Sequence, residues 1–226
     1  ATVSTEDNSF YDNPGVNITG LMRAGFEYFS GGLQSGSGTG GSSITQQLIK
    51  NVYICPSVGD VGTDACSAAP RTLDRKLREI AYALELERDS TKDQVLEWYL
   101  NQISYAGRYV GVQSAAQGYF HKNASDLTLA EAALLAGIPQ APTEYHPRLN
   151  CAKDADDNCI VDADGRTLVV GAAKKRQEDV LDLMVVHGRA SKADADAAKA
   201  EAISVFQATN TIKAAAFIDN QVEPRL

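Results

Sequence analysis

Long apolar runs are missing from this sequence. Its richest apolar stretch, Leu127–Ile138, is interrupted by Glu131 and is shorter than the ~18 apolar residues a membrane span needs. Basic charge is also short: 21 Lys and Arg against 29 Asp and Glu leave a net charge of −8. That balance excludes a general grip on nucleic acid. No GxxxxGK[ST] occurs, which excludes a P-loop, and neither SxxK nor KTG occurs, which excludes penicillin-type acyl transfer from this stretch. The four cysteines, Cys55, Cys66, Cys151 and Cys159, form no CxxC, and no histidine stands at zinc-finger spacing, so a metal-built framework is excluded. No signal peptide is visible ahead of Ala1–Glu6, and the abrupt opening reads as a piece of a longer protein. What remains is a chain of 226 residues, 44% hydrophobic and 22% charged, able to bury a core and too apolar for wholesale disorder.

The cysteines fall into two local pairs, and of the three possible connectivities the sequence favours Cys55–Cys66 with Cys151–Cys159, each closing a short polar loop. Such bridges place the protein in an oxidising space outside the cytoplasm; four free thiols are the alternative.

Apolar periodicity predicts a mainly α protein. Ile18, Leu21, Met22, Phe26 and Phe29 make a helical stripe over 18–29, and a Gly/Ser-rich segment, Ser30–Ser43, cannot continue it. A helix over Arg71–Arg88 is expected with Leu73, Leu77, Ile80, Ala81 and Leu84 inward. Another starts near Thr91 and carries Val95, Leu96, Tyr99, Leu100 and Ile103, broken by Gly107 and Gly111; a third runs through Ala115, Ala116 and Tyr119. Thr128 with Glu131 is a capping box for a helix that is apolar on nearly every face and therefore central. Residues 150–166 read as an acidic polar loop, 172–187 as a helix, and Ser191 with Asp194 as the start of the next. The domain is expected over 1–206, with a linker over 207–226 and few strands.

Two patterns are decoys. Gly36–Gly41 satisfies GxGxxG but follows an amphipathic helix, where a dinucleotide site needs a strand. Asp154, Asp156 and Asn158 imitate a calcium loop, but Cys159 stands where Gly is needed and Gly165 where Glu is needed. The histidines, His121, His146 and His187, are scattered and read as structural or surface residues.

Polar function concentrates in four places. Glu6-Asp7-Asn8-Ser9-Phe10 sets two carboxylates beside an aromatic, a pattern that a turn cap also explains. In Gly40–Asn51 a glycine loop enters a helix start with free N–H groups and hydroxyls, an anion cradle to which Gln46, Gln47 and Lys50 add donors; a capped surface helix is the plainer explanation. Arg71, Arg75, Lys76 and Arg78 gather positive charge in an acidic protein, with Arg75 and Lys76 one turn before Glu79, an arrangement that also suits surface ion pairs. Leu96–Asn101 and Ala115–Phe120 offer small and aromatic residues that helix packing alone would explain.

Taken in order, these stretches resemble the five motifs of the family-51 glycosyltransferases, the peptidoglycan-polymerising domains of bifunctional penicillin-binding proteins and monofunctional transglycosylases. The motifs appear as Glu6–Phe10, GGSSITQQLIKN at 40–51, Arg75–Glu79, LEWYLN at 96–101 with AAQGYF at 115–120, and Arg176 with Val180, Leu181 and Met184. The resemblance runs from Thr5 through Met184.

It implies a lysozyme-like helical head lobe with a smaller membrane-contacting lobe, and polymerisation of lipid II with inversion and release of undecaprenyl pyrophosphate. By the same resemblance Glu6 is the general base and Asp7 its support. Glu79 is the second catalytic carboxylate, stabilising the leaving diphosphate or helping to hold Mg2+ or Mn2+. Lys50 and Arg71 bind the pyrophosphate, Arg75 and Lys76 complete the positive wall, Arg23 contacts phosphate, and Ser42, Gln46 and Gln47 line the sugar sites. The residue types suit the chemistry: a sugar hydroxyl needs a base, whereas pyrophosphate leaves readily and needs cations more than an acid. The implied partners are lipid II, the growing glycan strand, the membrane surface and a transpeptidase domain in the full-length protein; the implied place is the extracytoplasmic face of a bacterial membrane. Asn13, where the family usually has His, Asn17, where Asp is common, and Ser43, where Thr is usual, depart from the pattern. A lysozyme-like glycan hydrolase or lytic transglycosylase, and a non-catalytic lipid II-binding module, are the alternatives.

Overall fold

The computed structural model describes residues 1–18, 20, 22, 42–54 and 73–208. Most of the helix expected over 18–29, residues 30–41 of the Gly/Ser-rich segment, Arg23, Arg71, the expected Cys55–Cys66 bridge and the expected linker beyond residue 208 lie outside the described residues.

The chain is mainly α. Helix α1 spans Thr2–Glu6, α2 Ile44–Ile49, running into a π turn over Lys50–Ile54, and α3 Leu73–Asp89. Then come α4 at Lys92–Gln102, α5 at Val112–Phe120, α6 at Leu129–Gly137, α7 at Gly171–Val186 and α8 at Lys192–Ala200. Strands β1, Arg166–Leu168, and β2, Ser204–Phe206, pair antiparallel with Thr167 opposite Val205. This pair was not foreseen. Three-residue strands are too short for alternation to register in a sequence, and these are joined across two helices rather than by a turn.

Helix starts follow local chemistry. Capping boxes open α2 (Ser43 with Gln46), α4 (Thr91 with Gln94) and α6 (Thr128 with Glu131), and Ser191 caps α8 by accepting from the Asp194 N–H. Each satisfies backbone donors that a helix leaves orphaned, worth about 1 kcal/mol apiece. Helix α6 is central as expected: Ala130, Ala133, Leu134 and Leu135 are buried and pack against Val180, Leu181 and Met184 of α7. The close approach of the two helices needs Gly137, where a Cβ would stand 2.8 Å from Cγ of Arg176.

The inward face of α3 differs from the expected one. Leu77 is 56% exposed and Ala81 is exposed, while Glu79 and Ala83 are buried and Ile80 and Leu84 half-buried. Leu77 and Ala81 lie about 160° around the helix from the buried Glu79–Ala83 row. Glu79 turns inward to join Lys76, and the loop at Gly15 packs on Ala83 so closely that a Cβ there would stand 2.8 Å from its carbonyl oxygen. Gly15 takes φ +91°, open to glycine and strained for other residues.

The 150–166 stretch is acidic and turn-rich as expected. Its Cys151–Cys159 disulfide is present, and bridges Cys151↔Val169 and Lys153↔Cys159 flank it. Asp154 accepts from the N–H groups of Asp156 and Asn158, so its carboxylate closes a turn. No helix among the described residues is long and apolar enough to cross a membrane.

Candidate active site

Helix α1 ends at Glu6 and packs against α6 and α7. That position takes the Glu6 carboxylate out of bulk water, and burial raises its pKa above the usual carboxylate range. Two groups oppose the rise. Gln47 of α2 donates Nε2–H to Oε2 of Glu6 at 3.1 Å, and the positive charge of Arg176 on α7 acts from a distance. The hydroxyl of Tyr99 on α4, completely buried, donates to Oε1 of the same Gln47 at 3.0 Å. Tyr99 and Tyr105 both border Glu6, and burial with its negative charge keeps both phenols protonated well above their ordinary range. The result is a carboxylate with one neutral hydrogen-bond donor in an aromatic setting, the environment that makes a carboxylate basic.

Asp7, the next residue, lives differently. It is buried and accepts from Ser9 Oγ (2.9 Å), from Asn13 Nδ2 at both oxygens (3.2 and 3.0 Å) and from the Ile44 N–H at 3.2 Å. The Ile44 bond ties the carboxylate to the first turn of α2, where a negative charge also suits the helix dipole. Asp7 therefore ties the start of α2 to the end of α1. Asn13 serves this anchor, and its carbonyl accepts from Lys92 Nζ at 2.7 Å.

The second carboxylate, Glu79, is buried on α3 between two cations. Lys76 Nζ stands 3.0 Å from Oε2 and Arg75 Nε 3.4 Å from Oε1. Lys76 also donates to Ser42 Oγ at 2.7 Å. Ser42 and Gln47 are five residues apart, so the short α2 segment touches Glu79's cluster at its start and Glu6 near its end. Lys50, half-buried, begins the π turn that follows. Glu6, Asp7 and Gln47 on one side and Ser42, Arg75, Lys76 and Glu79 on the other thus form two polar clusters joined through one short helix.

Gln46 takes a structural place. It is buried, its Oε1 accepts from the Ser43 N–H at 3.0 Å, and its Nε2 has no hydrogen-bond partner among the described residues. Its contribution is to hold the start of α2. For a divalent cation, both oxygens of Glu79 already face cations, and no group of three His, Cys, Asp or Glu side chains gathers among the described residues. That donor set does not by itself fit a resident metal, and no step below runs through one.

Sequence reasoning missed Tyr99 and Tyr105 as site residues and named Arg176 only as part of a motif. Tyr99 sat in LEWYLN, where its spacing matched a core stripe. The structure shows that it is both core and hydrogen-bond donor to the site. The histidines stay outside: His121 stacks on Phe206 with centroids 3.7 Å apart, and His146 meets Tyr119 edge-on.

The chain is similar to known proteins. Penicillin-binding protein 1A of Neisseria flavescens is 43% identical over 151 residues, covering 66% of this chain and 17% of that protein. The protein of the same name from Pseudomonas aeruginosa is 39% identical over 157 residues, covering 69% and 17%. The chain therefore spans about a sixth of the length of these relatives. A crystal structure of penicillin-binding protein 1A from Haemophilus influenzae matches 59% of this chain and 17% of its own at 30% identity, with a TM-score of 0.43. The family model described as Transglycosylase matches residues 1–184, which include Glu6, the α2 segment, Glu79 and Arg176, and the chain belongs to that family.

Proposed function

We propose that this chain is a peptidoglycan glycosyltransferase that polymerises lipid II into β-1,4-linked glycan strands. The observation that carries the reading is the contrast between half-buried Glu6 and buried Glu79. Glu6 is desolvated and bonded to a neutral amide; Glu79 is packed between Arg75 and Lys76. The first suits a base and the second suits the organisation of cations around a diphosphate. In the reaction, the 4-hydroxyl of the acceptor N-acetylglucosamine attacks the anomeric carbon of the donor N-acetylmuramic acid. Glu6 takes the hydroxyl proton, the bond from that carbon to the pyrophosphate oxygen breaks, and undecaprenyl pyrophosphate leaves with inversion. Arg75 and Lys76, with Lys50, Arg71 and Arg23, balance the charge that develops on the leaving group, and Ser42 and Gln47 face the sugars. Glu79 holds Arg75 and Lys76 in place.

Contact with the membrane surface, on the extracytoplasmic side of a bacterial membrane, belongs to the same proposal. Exposed apolar side chains at Ile18, Met22, Val52, Tyr53 and Leu77 support it, as does the disulfide. So does a transpeptidase domain elsewhere in the full-length protein, in keeping with the greater length of the relatives.

The test is a gel assay with labelled lipid II and divalent metal, beside Glu6→Gln. Ladders from the wild type that vanish in the variant are the expected result. Binding of lipid II without polymer would replace the enzyme with a binding module, and shortened preformed strands would replace it with a hydrolase.

A further inference from the structure

We propose that Tyr99 is a positioning residue for this reaction: its hydroxyl locks the Gln47 carboxamide so that the NH2 group, and not the carbonyl, faces Glu6. The proposal rests on the reading of Glu6 as the base. A carboxamide is nearly symmetric in shape, and rotating it by half a turn exchanges donor for acceptor with little steric consequence. At Gln47 the two orientations differ sharply in chemistry. With Nε2 toward Glu6, the amide donates to the ionised carboxylate at 3.1 Å. With Oε1 there instead, two oxygens meet, and the contact becomes favourable only once Glu6 is protonated. One orientation supports the base and the other supports its inactive acid form.

Tyr99 decides between them. Its hydroxyl lies 3.0 Å from Oε1 of Gln47 and its side chain is completely buried, with no solvent to replace the bond. Burial and the nearby Glu6 charge keep the phenol protonated, and among the described residues the Gln47 carbonyl is the acceptor for its proton, so turning the NH2 group toward Tyr99 would leave that proton buried and unbonded. The remaining groups around Glu6 cannot do this. Arg176 of α7 acts on its charge without touching the amide, and Tyr105 acts on it only electrostatically. Helix α6, which also packs on α1, has Glu131 as its sole titratable residue, and Glu131 is paired with Lys122. Helix α4 thereby reaches the base through α2 without contacting substrate.

The test compares Tyr99→Phe, which keeps the ring and removes the donor, with the wild type across pH. The expected result is an acid limb displaced about one unit to higher pH, with kcat about tenfold lower at pH values below the wild-type midpoint, near wild type on the plateau above the limb, and KM unchanged. In a Gln47→Met background the same Tyr99→Phe change has no further effect, because no amide is left to orient. A profile that superimposes on the wild type, or an undiminished shift in the Gln47→Met background, overturns the proposal. Carboxyl 13C titration of Glu6 reads the same effect without turnover: its midpoint rises in Tyr99→Phe and in Gln47→Met. An inactive wild type would defeat the glycosyltransferase reading while leaving this titration decisive for Tyr99. Should Tyr99→Phe fail to fold, an unchanged Glu6 midpoint in Gln47→Met overturns the relay by itself.

Discussion

Glu6 and Glu79 are both glutamates withdrawn from water, and the protein treats them in opposite ways. Glu6 gets one amide and an aromatic setting, so its charge is poorly compensated and its proton affinity rises. Glu79 gets a lysine and an arginine, at 3.0 and 3.4 Å. The first arrangement costs stability and gives a base. The second holds two cations at fixed positions with a carboxylate whose oxygens are already engaged. Chemical role follows from the company each carboxylate keeps, and residue type alone does not distinguish the two.

The comparison breaks most sharply in activity. Glu6→Gln removes the base while keeping shape and hydrogen bonding, and polymerisation is expected to fall by about a thousandfold or more, within the range of general-base contributions. Glu79→Gln should lose less, about a hundredfold, and the loss should fall mainly on kcat, because the cations lose their anchor while remaining present. Steady-state kinetics on labelled lipid II separates the two; equal losses would merge the roles assigned here.

Stability sharpens the contrast. Replacing Cys151 and Cys159 by serine opens a loop of sequence separation 8. Chain entropy puts the cost at about 2–3 kcal/mol, and the loss of Tm is expected with no change in activity. Glu79→Ala leaves Arg75 and Lys76 without their anion, at about 1–2 kcal/mol in urea unfolding; both cations are partly solvated, which keeps the cost below that of a fully buried pair.

The smallest effect has the opposite sign. A carboxyl whose folded pKa is raised binds its proton more tightly in the native state, so its ionisation costs stability as pH rises from the unfolded value through the folded one. Glu6→Gln is therefore expected to stabilise the protein at neutral pH, while the inactive variant and the wild type converge below the unfolded glutamate pKa. Thermal unfolding of both at pH 4 and pH 7.5 checks the sign.

The helices were legible because periodicity and capping are local. Thr128 with Glu131 and Ser191 with Asp194 mark their helix starts as clearly in the sequence as in the structure. The motif order likewise brought Glu6, the α2 segment and Glu79 into one family pattern. What escaped was non-local. Leu77 and Ala81 carry an apolar spacing, yet the buried row is Glu79 and Ala83, because a polar site and a glycine contact outweigh the stripe. Gln46 and Gln47 are neighbours with similar chemistry, and only the rotation of α2 sends one into a cap and the other to Glu6. Tyr99 looked like core because it is core; its hydroxyl acquires a role from Gln47, 52 residues away in sequence.

The account turns on the desolvation of Glu6, and carboxyl 13C titration of the wild type, assigned by the resonance missing in Glu6→Gln, tests it most directly. A midpoint above the ordinary glutamate value of about 4.3 is the predicted result. A midpoint at or below that value would contradict the account, since Glu6 would then be a well-solvated or well-paired carboxylate and a poor base.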